Sequence, residues 1–105
     1  MATPTSALAR QVATAVRASL NPSQILLFGS VARGTPHGNS DLDYCLVFDT
    51  LPLRKIEVLR QARRAALTVY RGAVDFVAYS SVEWQSYLDA SSSFETNLKR
   101  EAIAL

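Results

Sequence analysis

The chain has 105 residues, 49% hydrophobic and 19% charged, which suits a single domain over residues 1–105 because so short a chain has too little apolar surface for two cores. Its single cysteine, Cys45, excludes an internal disulfide and a zinc site made of cysteines, and no stretch approaches the ~20 apolar residues that span a bilayer. We therefore expect a cytoplasmic protein, and the net charge of +2 is too small to select a class of partner.

The first predicted elements are an amphipathic helix and a short apolar strand. Residues 5–20 place Arg10 and Arg17 opposite an apolar helical stripe. That stripe consists of Leu8, Val12, Ala15, Val16 and either Ser19 or Leu20. Asn21-Pro22 ends the helix, and the run QILLF over residues 24–28 predicts a buried strand that Gly29-Ser30 follows directly.

A second strand is predicted over residues 41–48, after about one helical turn at residues 30–34 and a polar loop rich in turn formers. Side chains alternate along a strand, so Asp41, Asp43 and Cys45 share one face. The other face carries Leu42, Tyr44, Leu46 and Phe48. Two carboxylates therefore point the same way.

A longer helix and a third strand are predicted next. The helix has Pro52 in its first turn and runs to about Val69. Its buried side is predicted to carry Val58, Leu59, Ala62, Ala65, Ala66 and Val69. The strand covers residues 73–79 and places Asp75 on the face opposite Val74 and Phe76.

Two capping boxes, Ser80 with Glu83 and Ser92 with Glu95, each predict the start of a short helix. The order of elements describes a small α/β or α+β domain, in which a mixed sheet of three or four strands is flanked by helices.

Gly29-Ser30 and three aspartates together indicate a metal and phosphate site. Carboxylates two residues apart on a strand lie roughly 6 to 7 Å from each other and repel, and a divalent cation compensates them. Mg²⁺ prefers carboxylate and phosphate oxygens, so Asp41 and Asp43, with Asp75 from a neighbouring strand, could bind it beside a nucleoside triphosphate. Glycine lets the backbone approach a phosphate, and Ser30 adds a hydroxyl donor. Two ions there would support in-line displacement, with Asp75 as the best-placed general base.

The stretch LFGSVARGTPHGNSDLDYCLVF, residues 27–48, resembles the signature of the DNA polymerase β-type nucleotidyltransferase superfamily. GSxARG followed by SDxD resembles in particular the minimal nucleotidyltransferases (MNT), and the terminal NLKREAIAL resembles that family's closing segment. The resemblance implies the polymerase β-type fold. It also implies that Gly29 and Ser30 hold the triphosphate, that Asp41 and Asp43 bind both Mg²⁺ ions, and that Asp75 is the third carboxylate.

Arg33 and Ser40, in the same stretch, are further candidates for nucleotide contact. For Arg33, pairing with a nearby acid is an equally good interpretation. His37, in a loop rich in glycine and proline, is better explained as a solvated side chain than as a catalyst. Cys45 on the aspartate face is interpreted as a small core hydrophobe.

Two further groups of side chains lie in the second half of the chain. Arg60, Arg64 and Arg71 form a basic stripe that could dock an acidic partner or RNA, although a solvated helix face explains it better. Trp84 and Tyr87 are three residues apart and are expected to pack rather than to stack on a base.

The function that the resemblance implies is transfer of AMP from ATP to a hydroxyl of a HEPN-domain ribonuclease toxin, so that the chain acts as an antitoxin. A core of 105 residues has little room for acceptor binding, so we expect a second subunit to supply part of that surface, in a homo-oligomer or a complex with another protein. Two alternatives stay open. The chain could block a partner by docking alone, or it could be a subunit that modifies a small molecule such as an aminoglycoside.

Overall fold

The computed structural model describes residues 6–28, 42–89 and 102–105. In these ranges the chain forms three helices and four strands: α1 Ser6–Leu20, β1 Gln24–Phe28, β2 Leu42–Phe48, α2 Lys55–Leu67, β3 Val74–Ser80, α3 Ser81–Asp89 and β4 Ile103–Ala104. The predicted mixed α+β class is confirmed, with four strands. None of the helices in these ranges has the length and apolar character needed to traverse a lipid bilayer.

The four strands form one mixed sheet in the order β3-β2-β1-β4. β1 pairs antiparallel with both β2 and β4, whereas β2 and β3 are parallel. Parallel neighbours need a long crossover connection, which α2 provides. β4 is held beside β1 by its ladder and by the Leu105 amide, which donates to the Ile25 carbonyl over 2.8 Å.

The main core lies between one face of the sheet and the two longer helices. From β2 it takes the predicted apolar face, Leu42, Tyr44, Leu46 and Phe48. Tyr44 is fully buried, stacks on Phe76 with ring centroids 5.3 Å apart, and donates its hydroxyl to the Ala9 carbonyl of α1 over 2.8 Å. That bond satisfies the one polar atom that β2 sends into this core from a side chain.

The buried stripe of α1 differs from the predicted one. Its buried residues are Ala9, Val12, Ala13 and Val16. Ser19 is exposed and Ala15 only half-buried, because the face turned to the sheet is centred on positions 9, 12, 13 and 16, which repeat at helical spacing. The prediction that Arg10 and Arg17 are exposed is confirmed.

The predicted start of α2 at Pro52 is wrong. The backbone of Arg54 has φ −58° and ψ 147°, which is not helical, and its carbonyl accepts from Glu57 and Val58 over 2.9 and 3.0 Å. Arg54 is therefore the N-cap, and Pro52 belongs to the connection before the helix. Val58, Ala62 and Ala66 are buried as predicted, but Val69 is exposed because the helix has already ended at Leu67.

A second, smaller cluster covers part of the opposite face of the sheet. Cys45, Val47 and Trp84 are its buried members. The predicted capping box at the start of α3 is confirmed: the Glu83 amide donates to Ser80 Oγ over 3.2 Å, and the Ser80 amide donates to Glu83 Oε1 over 3.1 Å. The predicted helical turn at residues 30–34 and the second capping box, Ser92 with Glu95, lie outside the described residues.

Candidate active site

Asp43 of β2 and Asp75 of β3 are directly opposite each other in the parallel ladder. Neighbouring strands are about 4.8 Å apart, and register partners send their side chains to the same face. The two carboxyl groups therefore lie side by side. This confirms that the strands carrying them are neighbours and that Asp75 is on the face opposite Val74 and Phe76.

This pair lies at one end of the face that bears the second cluster. Two residues further along β2, Cys45 is fully buried, and α3 covers the sheet at that point with Trp84. Asp43 itself is half-buried and Asp75 is exposed. The carboxyl groups thus lie just beyond the edge of an apolar layer, where a bound ion or phosphate would be partly shielded from water.

The two described residues that flank positions 29–41 also lie here. Phe28, the last residue of β1, pairs with Asp43. At the other end, the Leu42 amide donates to the Ala73 carbonyl over 3.1 Å and fixes the start of β2 beside β3. The other predicted site residues, Gly29, Ser30, Arg33, Ser40 and Asp41, and the loop residue His37, lie outside the described residues. In sequence they are connected to strand ends that meet at the aspartate pair.

Two adjacent carboxyl groups suit a hard divalent cation, because carboxylate oxygens are the protein ligands that Mg²⁺ takes. Like charges on neighbouring strands repel unless a cation or hydrogen-bond donors compensate them. In the part of the chain that the structure describes, no cluster of three or more metal-binding side chains occurs. The remaining predicted carboxylate, Asp41, is outside that part.

A cavity of about 230 Å³ next to Asp75 is a feature that sequence reasoning missed. It lies between the end of α2 and the start of β3, and its lining includes Arg63, Leu67, Tyr70 and Gly72. A Cβ at Gly72 would overlap the Tyr70 ring, so only glycine lets that ring lie against the backbone here. The local signal was the segment Tyr70-Arg71-Gly72 between α2 and β3.

Three other described candidates, Cys45, Trp84 and Tyr87, pack against neighbouring side chains. Burial raises the pKa of the Cys45 thiol to about 12. Trp84 packs on Tyr79, which also meets Tyr87 edge to face, as expected for packing residues.

The three arginines of the predicted stripe differ in their surroundings. Arg60 donates to Glu57 over 3.0 Å, Arg64 lines a groove between α1 and α2, and Arg71 is exposed beyond the end of α2. Their role as a docking surface stays a prediction.

Comparison of the sequence with protein families finds a match to the nucleotidyltransferase domain over residues 9–102. The chain belongs to this family. As a nucleotidyltransferase domain it has transfer of a nucleotidyl group as its general activity, and the aspartate pair lies within the matched region. A search of curated protein sequences finds no significant match.

Two solved structures are similar to this nucleotidyltransferase domain. One, described as a candidate nucleotidyltransferase from Sulfolobus solfataricus, is 25% identical, with a TM-score of 0.53 over 76% of this chain and 70% of that one. The other is a toxin–antitoxin structure with AMP-PNP, 22% identical, with a TM-score of 0.50 over 86% of this chain and 79% of that one. The second likeness concerns the fold alone.

Proposed function

We propose that this nucleotidyltransferase domain transfers AMP from ATP to a hydroxyl of a HEPN-domain toxin in a Mg²⁺-dependent reaction, and thereby acts as an antitoxin. The observation that carries the proposal is the in-register pair of Asp43 and Asp75 at one end of the second sheet face. Family membership supports the class of reaction. The likeness to a toxin–antitoxin structure that holds AMP-PNP motivates the adenine nucleotide and the protein partner.

The proposed ligands of the metal are Asp41, Asp43 and Asp75. Their oxygen atoms fit a hard cation, and Mg²⁺ would neutralise the charge that develops on the phosphates. Gly29 and Ser30 are proposed to hold the triphosphate, with contacts from Arg33 and Ser40.

In the proposed step, the acceptor hydroxyl oxygen forms a bond to the α-phosphorus of ATP. The bond from that phosphorus to the bridging oxygen breaks, pyrophosphate leaves, and the hydroxyl proton passes to Asp75. Such transfers depend on positioning and charge stabilisation, and a carboxylate beside the acceptor supplies both.

The test is to incubate the chain with ATP, Mg²⁺ and a HEPN-domain partner and to measure the intact mass of that partner. We expect AMP-sized additions that disappear when EDTA replaces Mg²⁺. Asp43→Asn and Asp75→Asn should each slow the addition by roughly 100-fold or more, as expected for loss of a metal ligand. Asp49→Asn is the matched control, because Asp49 is exposed just beyond the opposite end of β2, and it should leave the rate unchanged.

Absence of AMP addition by the intact chain, or undiminished addition by both site variants, would contradict the proposal. If the variants still neutralise the toxin fully in cells, neutralisation is by docking alone. AMP transfer to a small molecule such as an aminoglycoside, with none to protein, would favour the alternative in which the chain is a subunit of a small-molecule nucleotidyltransferase.

A further inference from the structure

We propose that the outer edge of β3 binds the acceptor as an extended polypeptide segment, which adds to the sheet as a strand beside Asp75. The inference rests on the proposed function, because it specifies how an acceptor reaches the same carboxyl pair. It also specifies the class of acceptor: a flexible or extended peptide segment rather than a folded surface.

The backbone of β3 is paired on one side only within the described residues, since β3 is at the end of the strand order. The Ala73 carbonyl accepts from Leu42, so it faces β2. Backbone groups alternate in direction along a strand. The amides and carbonyls of Val74, Phe76 and Ala78 therefore face outward, and none of them has a partner among the described residues.

This edge has few of the features that prevent pairing with another chain. It is seven residues long and reads VDFVAYS, with no proline and no lysine, and Asp75 is its one charge. Exposed edges in native proteins are usually blunted by such residues, and an edge without them can pair with another chain, which is how some domains bind an extended peptide. Its one charge, Asp75, is a candidate site residue, so a strand added at this edge would lie beside the carboxyl pair.

Strand addition would bring one acceptor side chain next to Asp75. The residue opposite Asp75 would have its α-carbon about 5 Å away and its side chain on the same face of the sheet. A serine, threonine or tyrosine at that position would place its hydroxyl beside the carboxyl pair. Only this one acceptor side chain would need to reach the carboxyl pair.

The cavity beside Asp75 would take a neighbouring acceptor side chain. Residues on either side of the hydroxyl residue point to the α2 side of the sheet, where Leu67 and Tyr70 line the cavity. Arg63 supplies a permanent positive charge at its wall, which Asp75 also lines at the end next to the carboxyl pair. The preferred segment therefore has a hydroxyl residue flanked by an acidic residue.

The probe is a library of eight-residue peptides with a fixed central serine, selected for binding to the full chain without nucleotide. We expect selected peptides to carry an acidic residue next to that serine. Val74→Pro removes one outward amide at the first position of β3, where proline is tolerated, and should weaken binding at least tenfold. Val74→Ala keeps the amide and should change affinity less than about twofold. Arg63→Glu should reverse the preference from acidic to basic residues.

A second measurement does not depend on protein variants. N-methylation of alternate peptide amides should abolish binding in one register and leave it intact in the other, because only one set faces β3. No selected peptide, equal binding by the proline and alanine variants, or insensitivity to N-methylation would overturn the inference. Self-association of the chain through this edge would also overturn the inference if it excludes the peptide. Because binding is measured without ATP, its loss with AMP transfer intact contradicts this inference alone, whereas binding without transfer contradicts the proposed function alone.

Discussion

Asp43 and Asp75 become neighbours only through the parallel pairing of β2 with β3, since α2 separates them in the chain. Alternation along each strand predicted which face each aspartate takes. The register between the strands could not be predicted, because it depends on how far the α2 crossover shifts one strand along the other. Sequence reasoning therefore placed both aspartates on strands of one sheet, but it did not predict their side-by-side register, nor the cavity that Tyr70 and Gly72 line beside Asp75.

Cys45 should be unreactive in the folded protein. Burial raises its thiol pKa from 9.0 to about 12, so the nucleophilic thiolate is scarce at about pH 8. We expect a thiol reagent such as Ellman's reagent to label the native chain at least 100-fold more slowly than the chain unfolded in guanidinium. In a Cys45→Ala background, Val82→Cys gives a 78% exposed control on α3 that should react rapidly without denaturant. Equal rates for native and unfolded Cys45 would contradict its burial.

The pKa shift of Cys45 also affects stability. The thiol pKa is about 12 in the folded chain, above the ordinary value of 9.0 that applies to the unfolded chain. The protonated thiol therefore favours the folded state, and this stabilisation is complete below pH 9 and is lost as pH rises from 9 to about 12.

The Tyr44 hydroxyl should contribute measurably to stability. It is buried and donates to the Ala9 carbonyl over 2.8 Å, and a buried hydrogen bond contributes about 1 kcal/mol. Tyr44→Phe keeps the stacking on Phe76 and should lower the free energy of unfolding by about 1 kcal/mol, as measured by urea titration. Tyr87→Phe on partly exposed α3 is the control and should change it by less than about 0.5 kcal/mol. Equal effects of the two substitutions would show that the bond to α1 contributes nothing.

At the scale of elements, α3 is the part of the fold whose start the sequence predicted best. Both hydrogen bonds of the Ser80–Glu83 capping box are formed. The start of α2 was harder to predict. Proline is common in the first turn of a helix, but Pro52 does not determine how long the connection from β2 is before α2 begins to pack on the sheet. Local hydrogen-bond chemistry can be predicted from sequence, whereas the path of a connection depends on tertiary packing.

Substitutions in the capping box should separate its hydrogen bonds from its charge. Ser80→Ala removes the cap and should cost about 1 kcal/mol of stability. Glu83→Gln keeps a cap acceptor but loses the ion pair with Lys55, whose Nζ is 2.7 Å from Glu83 Oε2. Both partners are over a third exposed, so the loss should be under about 1 kcal/mol.

The stability that Glu83→Gln loses should depend on pH in a definite direction. Hydrogen bonding to Lys55 lowers the pKa of Glu83 below 4.5, so its contribution is present above that pH and disappears as the pH falls through the lowered value. Urea titrations at several pH values should therefore show wild type and Glu83→Gln converging in acid. A difference that persists at the lowest pH would show that charge is not its cause.

At the scale of the whole molecule, the sheet separates a large core from a small one, and the candidate site lies at one end of the small one. β2 connects them, because its side chains alternate between Tyr44 in the main core and Cys45 in the second cluster. The carboxyl pair is thus carried on strands whose opposite face is anchored in the main core. This arrangement supports the site from the main core, and among the described residues Asp75 remains exposed on β3.

We predict that both cores unfold together, because a strand shared between them cannot lose one set of contacts without disturbing the other. Trp84 is the only tryptophan of the chain and belongs to the second cluster, so its fluorescence reports on that face alone. Far-UV circular dichroism is dominated by the helices, of which α1 and α2 pack on the main core. In urea the two signals should give the same midpoint and the same m-value. Trp84→Phe, followed by circular dichroism alone, checks that the probe residue does not itself set the transition. A fluorescence midpoint at clearly lower urea would instead mean that α3 detaches while the main core stays folded, and the candidate site would then lose its apolar border before the domain unfolds.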